Sequence, residues 1–330
     1  MKTWVMISFP YGGYGRGSAR ERNFRALVDS CCSNLPGCKP LVVLNRDTEQ
    51  KPLPSDGSGN GSGSGGQAQA FLDEFGEGGR QAGMVDIMRV WSVDTCQMWL
   101  AGWGRILDRD DVAPADHIAT LPGDIDIIAD TMGFLHQALP AFLKGRVDDI
   151  VIGDFTAGEA LSAKDLIDRY GTLPLLANWF PDTSKALLEK HISKPRSEFL
   201  NVRCEVLEEL LLRHRKFAYE QTLNLLIRAW DGAAATWRYS VGRTDLGVIE
   251  DSREQRKFRD CLDQIERTER MLRLIWRETH EPDNPSSPAY AEFVDRYTHL
   301  DRFSTAVRET AVITLRNLLG DEAMRESALT

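Results

Sequence analysis

"TWVMISFPYGGYGRGSARERNFRALVDSCCSNLPGCKPLVVLNRD" (residues 3–47) reads as strand, helix, strand. The run WVMISF (4–9) is β-branched and aromatic and stops at Pro10. ARERNFRALVDSCC (19–32) sets Phe24, Leu27, Val28 and Cys31 at helical spacing, and PLVVLNRD (40–47) is a second apolar run. Parallel neighbours in a sheet need a crossover of about this length, usually a helix. The stretch therefore predicts a βαβ unit and an α/β fold class with a mostly parallel, Rossmann-like sheet.

The reading extends outward from there. FLDEFGEGGRQAGMVDIMRVW (71–91) and CQMWLAGWGRILDR (96–109) carry helical pattern, DHIATLPGDI (116–125) and DIVIGDF (149–155) strand pattern. EVLEELLLRHRKF (205–217) and YEQTLNLLIRAW (219–230) bear apolar stripes at three- and four-residue spacing. From about residue 253 the pattern is helix, a Pro-rich break at EPDNPSSP (281–288), and a last helix. The C-terminal part is thus expected to be helix-rich. SDGSGNGSGSGG (55–66) is nearly all Gly, Ser and Asn, so it cannot pack and is expected to be mobile, as a natural loop or an engineered replacement.

Composition narrows the function classes. Net charge is −9 with no clustered Lys/Arg stripe, which argues against nucleic acid as the main partner. The cysteines at 31, 32, 38, 96, 204 and 261 lack zinc or disulfide-framework spacing. Met1 leads straight into a strand-like run, and no segment approaches the roughly 18–20 apolar residues of a membrane span. A reduced, soluble, cytoplasmic protein is expected.

Several motifs invite chemistry. FPYGGYGRGSARER (9–22) places glycines between a strand and a helix, but Ser18 breaks a G-x-G-x-x-G and no Gly-Lys-Ser/Thr follows. VDDIVIGDFTAG (147–158) has a passing likeness to a phosphoribosyltransferase loop, but its spacing fails. The histidines form no H-E-x-x-H, and no nucleophile elbow is present. The tryptophans at 91, 99 and 103 fall at roughly helical intervals and read as core. ATLPGDIDIIAD (119–130) is more pointed, with Asp124 and Asp126 one residue apart at the end of an apolar run. Pro-Gly-Asp is ordinary turn chemistry, and a hard divalent cation between protein carboxylates and phosphates would use the same residues.

The order of several segments resembles the GT-A nucleotide-sugar glycosyltransferases, particularly the retaining glucosyl-3-phosphoglycerate synthase and mannosylglycerate synthase type. LPGDIDI (121–127), FLHQALPAFL (134–143) and VDDIVIGDF (147–155) are similar to that group's Asp-x-Asp, helix and Val-x-Gly-aromatic strand. KPRSEFLNVRCEVLEELL (194–211) resembles its Pro-x-Ser-Gly-Glu-Phe acceptor segment, and FAYEQTLNLLI (217–227) its Tyr-Gly-x-Glu helix start. RTDLGVIEDSREQ (243–255) resembles its Val-Asp-Leu-Gly-Val stretch, with Asp251 where the family places a metal-binding histidine. Other departures are Ser197-Glu198-Phe199 for Gly-Glu-Phe, Tyr219-Glu220-Gln221 for Tyr-Gly-x-Glu, and LAGWGRIL (100–107) without the lysine of the donor-side loop.

The resemblance implies a GT-A-like domain over residues 1–255, with a helical appendage over 256–330. It implies transfer of a hexose from a UDP- or GDP-sugar to a small polar acceptor, with retention of configuration. Mg²⁺ or Mn²⁺ would be held by Asp124, Asp126 and Asp251 and would neutralise the leaving diphosphate. Pro10, Tyr11, Asp47, Asp124 and Ile125 would flank the nucleotide. Arg196, Ser197 and Arg203 would take the acceptor, since guanidinium groups suit carboxylate or phosphate. Glu198 and Glu220 are the carboxylates it marks as catalytic. Two other readings are a sugar-1-phosphate nucleotidyltransferase and a non-catalytic protein that assembles, as a homo-oligomer, through its C-terminal helices.

Overall fold

The computed structural model describes residues 1–9, 19–45, 71–91, 95–123, 125–126, 133–145, 147–157, 163–211, 220–251 and 258–319. The Gly/Ser stretch 55–66 lies outside the described residues. Two compact units emerge. The first gathers Met1–Gly158, Ile192–Leu225 and Trp237–Ser252, and the second Glu159–His191, Leu226–Thr236 and Arg253–Thr330. The division is therefore discontinuous, whereas the sequence reading draws a single cut after residue 255.

The first unit is built on a sheet of β1 (Thr3–Phe9), β2 (Leu41–Asn45), β3 (Asp86–Val90), β4 (His117–Pro122), β5 (Ile125–Asp126), β6 (Ile150–Ala157), β7 (Leu200–Arg203) and β10 (Val241–Asp251). Two further two-residue strands, β8 (Trp230–Asp231) and β9 (Thr236–Trp237), form a separate ribbon. Among the described residues the sheet order is β3-β2-β1-β4-β7-β6-β10-β5. β7 runs antiparallel to both β4 and β6, β5 runs antiparallel to β10, and the remaining six strands share one direction. The fold is α/β with a mostly parallel sheet and a helix-rich C-terminal part, as the sequence predicts.

Burial explains why these runs become central strands. Every residue of LVVLN in β2 and HIATLP in β4 is buried, the pattern of a parallel strand covered on both faces. On one face Val5, Ile7 and Phe9 join Phe24, Leu27 and Val28 of α1 (Ala19–Asn34). Phe9, Phe24, Phe71 and Phe75 close this core as contacting rings, with Phe24 edge-on to both Phe71 and Phe75. Burying each of these side chains contributes about 1.5–3 kcal/mol. The other face carries α2 (Thr95–Leu107), whose Trp103 indole N–H donates to Thr120 Oγ1 at 2.8 Å. Trp99 and Trp103 are core, as read, but Trp91 is not: it is 58% exposed. The helical reading of 71–91 is also corrected. Only 71–75 is helical, and Asp86–Val90 pairs with β2 as an edge strand.

α3 (Leu139–Lys144), entered through a π-turn at Phe134–Ala138, packs Leu139, Phe142 and Leu143 into the core shared with α1. After β7 the chain enters α7 (Cys204–Leu210), and later α8 (Gln221–Ala229). The second unit is helical: α4 (Ala163–Ile167), α5 (Leu173–Trp179), α6 (Pro181–Glu189), α9 (Phe258–His280) and α10 (Pro288–Leu319). Cys261, Ile265, Thr268, Leu272, Ile275 and Trp276 give α9 its buried stripe. Trp179 meets Trp276 edge-on, and its indole N–H donates to Ser304 Oγ at 2.7 Å. Among the described residues no helix is long and apolar enough to cross a membrane.

Candidate functional site

Strand order locates the site before any side chain is considered. The chain steps from β1 outward to β2 and β3, then returns to β4 on the opposite side of β1. In open parallel sheets ligands bind beyond the carboxyl ends of the strands at this reversal. Pro10 and Tyr11 follow β1, Asp47 follows β2, and Asp124 follows β4. All four lie outside the described residues.

Gly123 closes β4 at this edge. Its N–H donates to Ser8 O at 2.8 Å, and a Cβ there would sit 2.7 Å from the Phe9 ring and 3.0 Å from Ser8 O. Only glycine passes that close, so Gly123 makes a tight exit over the end of β1. β5 begins two residues further on. Ile125 and Asp126 pair antiparallel with β10, with Asp126 opposite Glu250 and Ile125 opposite Asp251. β10 is bent to reach them: Asp245 pairs with Asp154 but Val248 with Thr156, so β10 carries one extra residue. Gly247 takes the left-handed backbone of that bulge at φ 76°, and its N–H is held by Asp245 Oδ1 at 2.9 Å. The structure thus brings Ile125, Asp126 and Asp251, from distant parts of the sequence, into one two-strand register. Among the described residues no group of three or more His, Cys, Asp or Glu is placed to hold a metal ion.

The acceptor-like segment 194–199 is fixed against β6 by its own side chains. Ser197 Oγ donates to Gly153 O at 2.6 Å and accepts from Phe199 N at 3.1 Å. Thr222 Oγ1 of α8 donates to Ser197 O at 2.7 Å. Ser197 is 3% exposed and spends its hydroxyl on the backbone. Arg196 and Glu220 meet: Nη2 donates to Oε1 at 2.8 Å, and Nε lies 2.8 Å from Oε2 at an angle too poor for a hydrogen bond. Glu220 does so from a left-handed backbone, φ 51°. Glu198, between Ser197 and Phe199, is half-buried, with no hydrogen-bond or ion-pair partner among the described residues.

Arg203 is not brought to this edge. It pairs with His117 in the β4–β7 register, at the amino end of β4, whereas Gly123 lies six residues further on, about 20 Å along the strand. Its guanidinium is taken by Asp149 at 2.7 Å and Glu205 at 2.8 Å.

Sequence reasoning passed over Asp154. This carboxylate is 3% exposed and accepts from Ser193 N (2.8 Å), Ser193 Oγ (2.7 Å) and Phe155 N (3.0 Å), with Arg243 Nη1 at 3.8 Å. It ties the start of the 193–199 segment to β6. The available signal was a lone acid inside the apolar strand DIVIGDF, since a buried carboxylate needs donors.

No family model matches the chain, and comparison with curated proteins finds no relative. Among solved structures, that of a mycobacterial protein is similar at a TM-score of 0.49 and 13% identity, over 85% of this chain and 76% of that one.

Proposed function

We propose that this protein is a metal-dependent glycosyltransferase that moves a hexose from a UDP- or GDP-sugar to a small polar acceptor, with retention. The observation that carries the reading is the β5–β10 pairing, which sets Asp126 opposite Glu250 and Ile125 opposite Asp251 on a strand that begins three residues after the end of β4. A carboxylate-rich strand pair is a donor set for a hard cation, and the carboxyl ends of β1 and β4 are where a nucleoside diphosphate belongs. Asp124, Asp126 and a carboxylate of β10 would hold Mg²⁺ or Mn²⁺, which when bound supplies Lewis-acid neutralisation of the leaving diphosphate.

The chain's own residues supply positioning. The pinned backbone of 194–199 presents Glu198 near the carboxyl ends of β4 and β6, where a carboxylate without an internal partner is available to an acceptor hydroxyl. Arg196, already engaged by Glu220, stiffens that segment. Arg203 serves the amino end of the sheet and stays out of the reaction.

A thermal-shift series with UDP, GDP and ADP, each with and without Mn²⁺, tests the reading. One nucleotide should raise the melting temperature in a metal-dependent way. No response to any of the three, with or without metal, overturns it.

A further inference from the structure

Of the eight tryptophans in the chain, Trp91 alone is exposed, at 58%, while Trp99, Trp103, Trp179 and Trp276 are at least nine-tenths buried and the rest are half-buried. It directly follows β3, whose last residue Val90 pairs with Asn45 at the end of β2. Trp91 therefore stands at the carboxyl ends of the parallel strands β3, β2, β1 and β4, on the β3 side of the reversal. Strands in a sheet are spaced about 4.8 Å apart, so two spacings put the ends of β3 and β1 about 10 Å apart. That is within the span of a nucleoside diphosphate whose phosphates lie at the β1–β4 reversal. Laid outward along this edge, the phosphates fall at β1 and β4, the ribose at β2 and the base at β3.

We propose that Trp91 is the stacking platform for the donor's nucleobase; this rests on the glycosyltransferase reading. An indole left in water at a strand end gives up the burial that the other tryptophans of the chain obtain. Its flat face suits a nucleobase, and stacking of that kind tolerates any base. Direct discrimination between uracil, guanine and adenine is left to groups that reach the base edges.

The test is calorimetric titration of wild type, Trp91→Ala and Trp91→Phe with UDP, GDP and ADP in Mn²⁺, and with Mn²⁺-pyrophosphate as a baseless control. Trp91→Ala should bind the preferred nucleotide about tenfold more weakly, the size of a lost base–aromatic stack. Trp91→Phe should retain most of the affinity, and pyrophosphate should bind all three proteins equally. Nucleotide should also quench long-wavelength tryptophan emission in wild type and lose that effect in Trp91→Phe. Unchanged nucleotide affinity in Trp91→Ala, or a parallel loss for pyrophosphate, overturns the platform while leaving the transferase reading intact. If wild type binds none of the three nucleotides with Mn²⁺, both fail.

Discussion

Glu220 reaches Arg196 from a left-handed backbone, the conformation that glycine adopts freely and a glutamate does not. In the resembled Tyr-Gly-x-Glu motif, glycine follows the tyrosine, and here Glu220 follows Tyr219. The turn into α8 here carries a carboxylate that captures Arg196. Both side chains are largely buried, so the pair holds the turn at the expense of backbone strain.

This relationship separates two variants at one position. Glu220→Ala loses the ion pair and keeps the strain, whereas Glu220→Gly loses the ion pair and relieves the strain. Breaking a largely buried pair costs about 3 kcal/mol. The left-handed penalty is about 1 kcal/mol, so Glu220→Gly should be the more stable of the two by that amount. Urea unfolding midpoints of both variants measure this, and an alanine variant as stable as the glycine variant would show that the backbone there is unstrained.

His280 makes a pH prediction for the helical unit. Its ring stacks on Trp276 at 4.5 Å, and burial lowers its pKa, with Arg296 pushing the same way against a hydrogen bond to Trp276 O. The unfolded chain therefore takes up this proton first. The contribution is full above the ordinary histidine value of about 6.5 and is lost as pH falls through the lower folded value. Between pH 7.5 and pH 5.5 the wild-type melting temperature should fall further than that of His280→Gln. Equal falls would remove His280 from the account.

Much of this was legible in the sequence, for reasons that can be named. β1, β2 and β4 are largely buried, mostly apolar runs because both their faces are covered, and α9 and α10 flank a Pro-rich break that no helix crosses. β3 was lost inside a helical reading because an edge strand with only partly buried residues carries a weak signal. β7 was hidden in the segment read as acceptor loop and helix, since LNVR is short and its antiparallel pairing to β4 and β6 depends on residues far away in sequence. Arg203 was grouped with Arg196 by proximity along the chain, although β7 carries it away toward the amino end of β4. The pairing of β5 with β10 leaves no trace in the sequence, because a two-residue strand has no pattern of its own.

That register yields a prediction at β10. The resemblance points to Asp251, yet Glu250 is the residue paired directly with Asp126 in the register. Glu250→Ala should therefore weaken Mn²⁺-dependent nucleotide binding more than Asp251→Ala. The reverse order, with Asp251→His restoring what alanine loses, would assign the metal to Asp251 instead.

The most direct measurement is the affinity of the preferred nucleotide for wild type and Asp126→Ala, each titrated with and without Mn²⁺, with circular dichroism confirming an unchanged fold. The account predicts that wild type gains at least about tenfold from the metal and that Asp126→Ala loses this gain while its metal-free affinity stays the same. An Asp126→Ala protein that still binds Mn²⁺-nucleotide as tightly as wild type would contradict it.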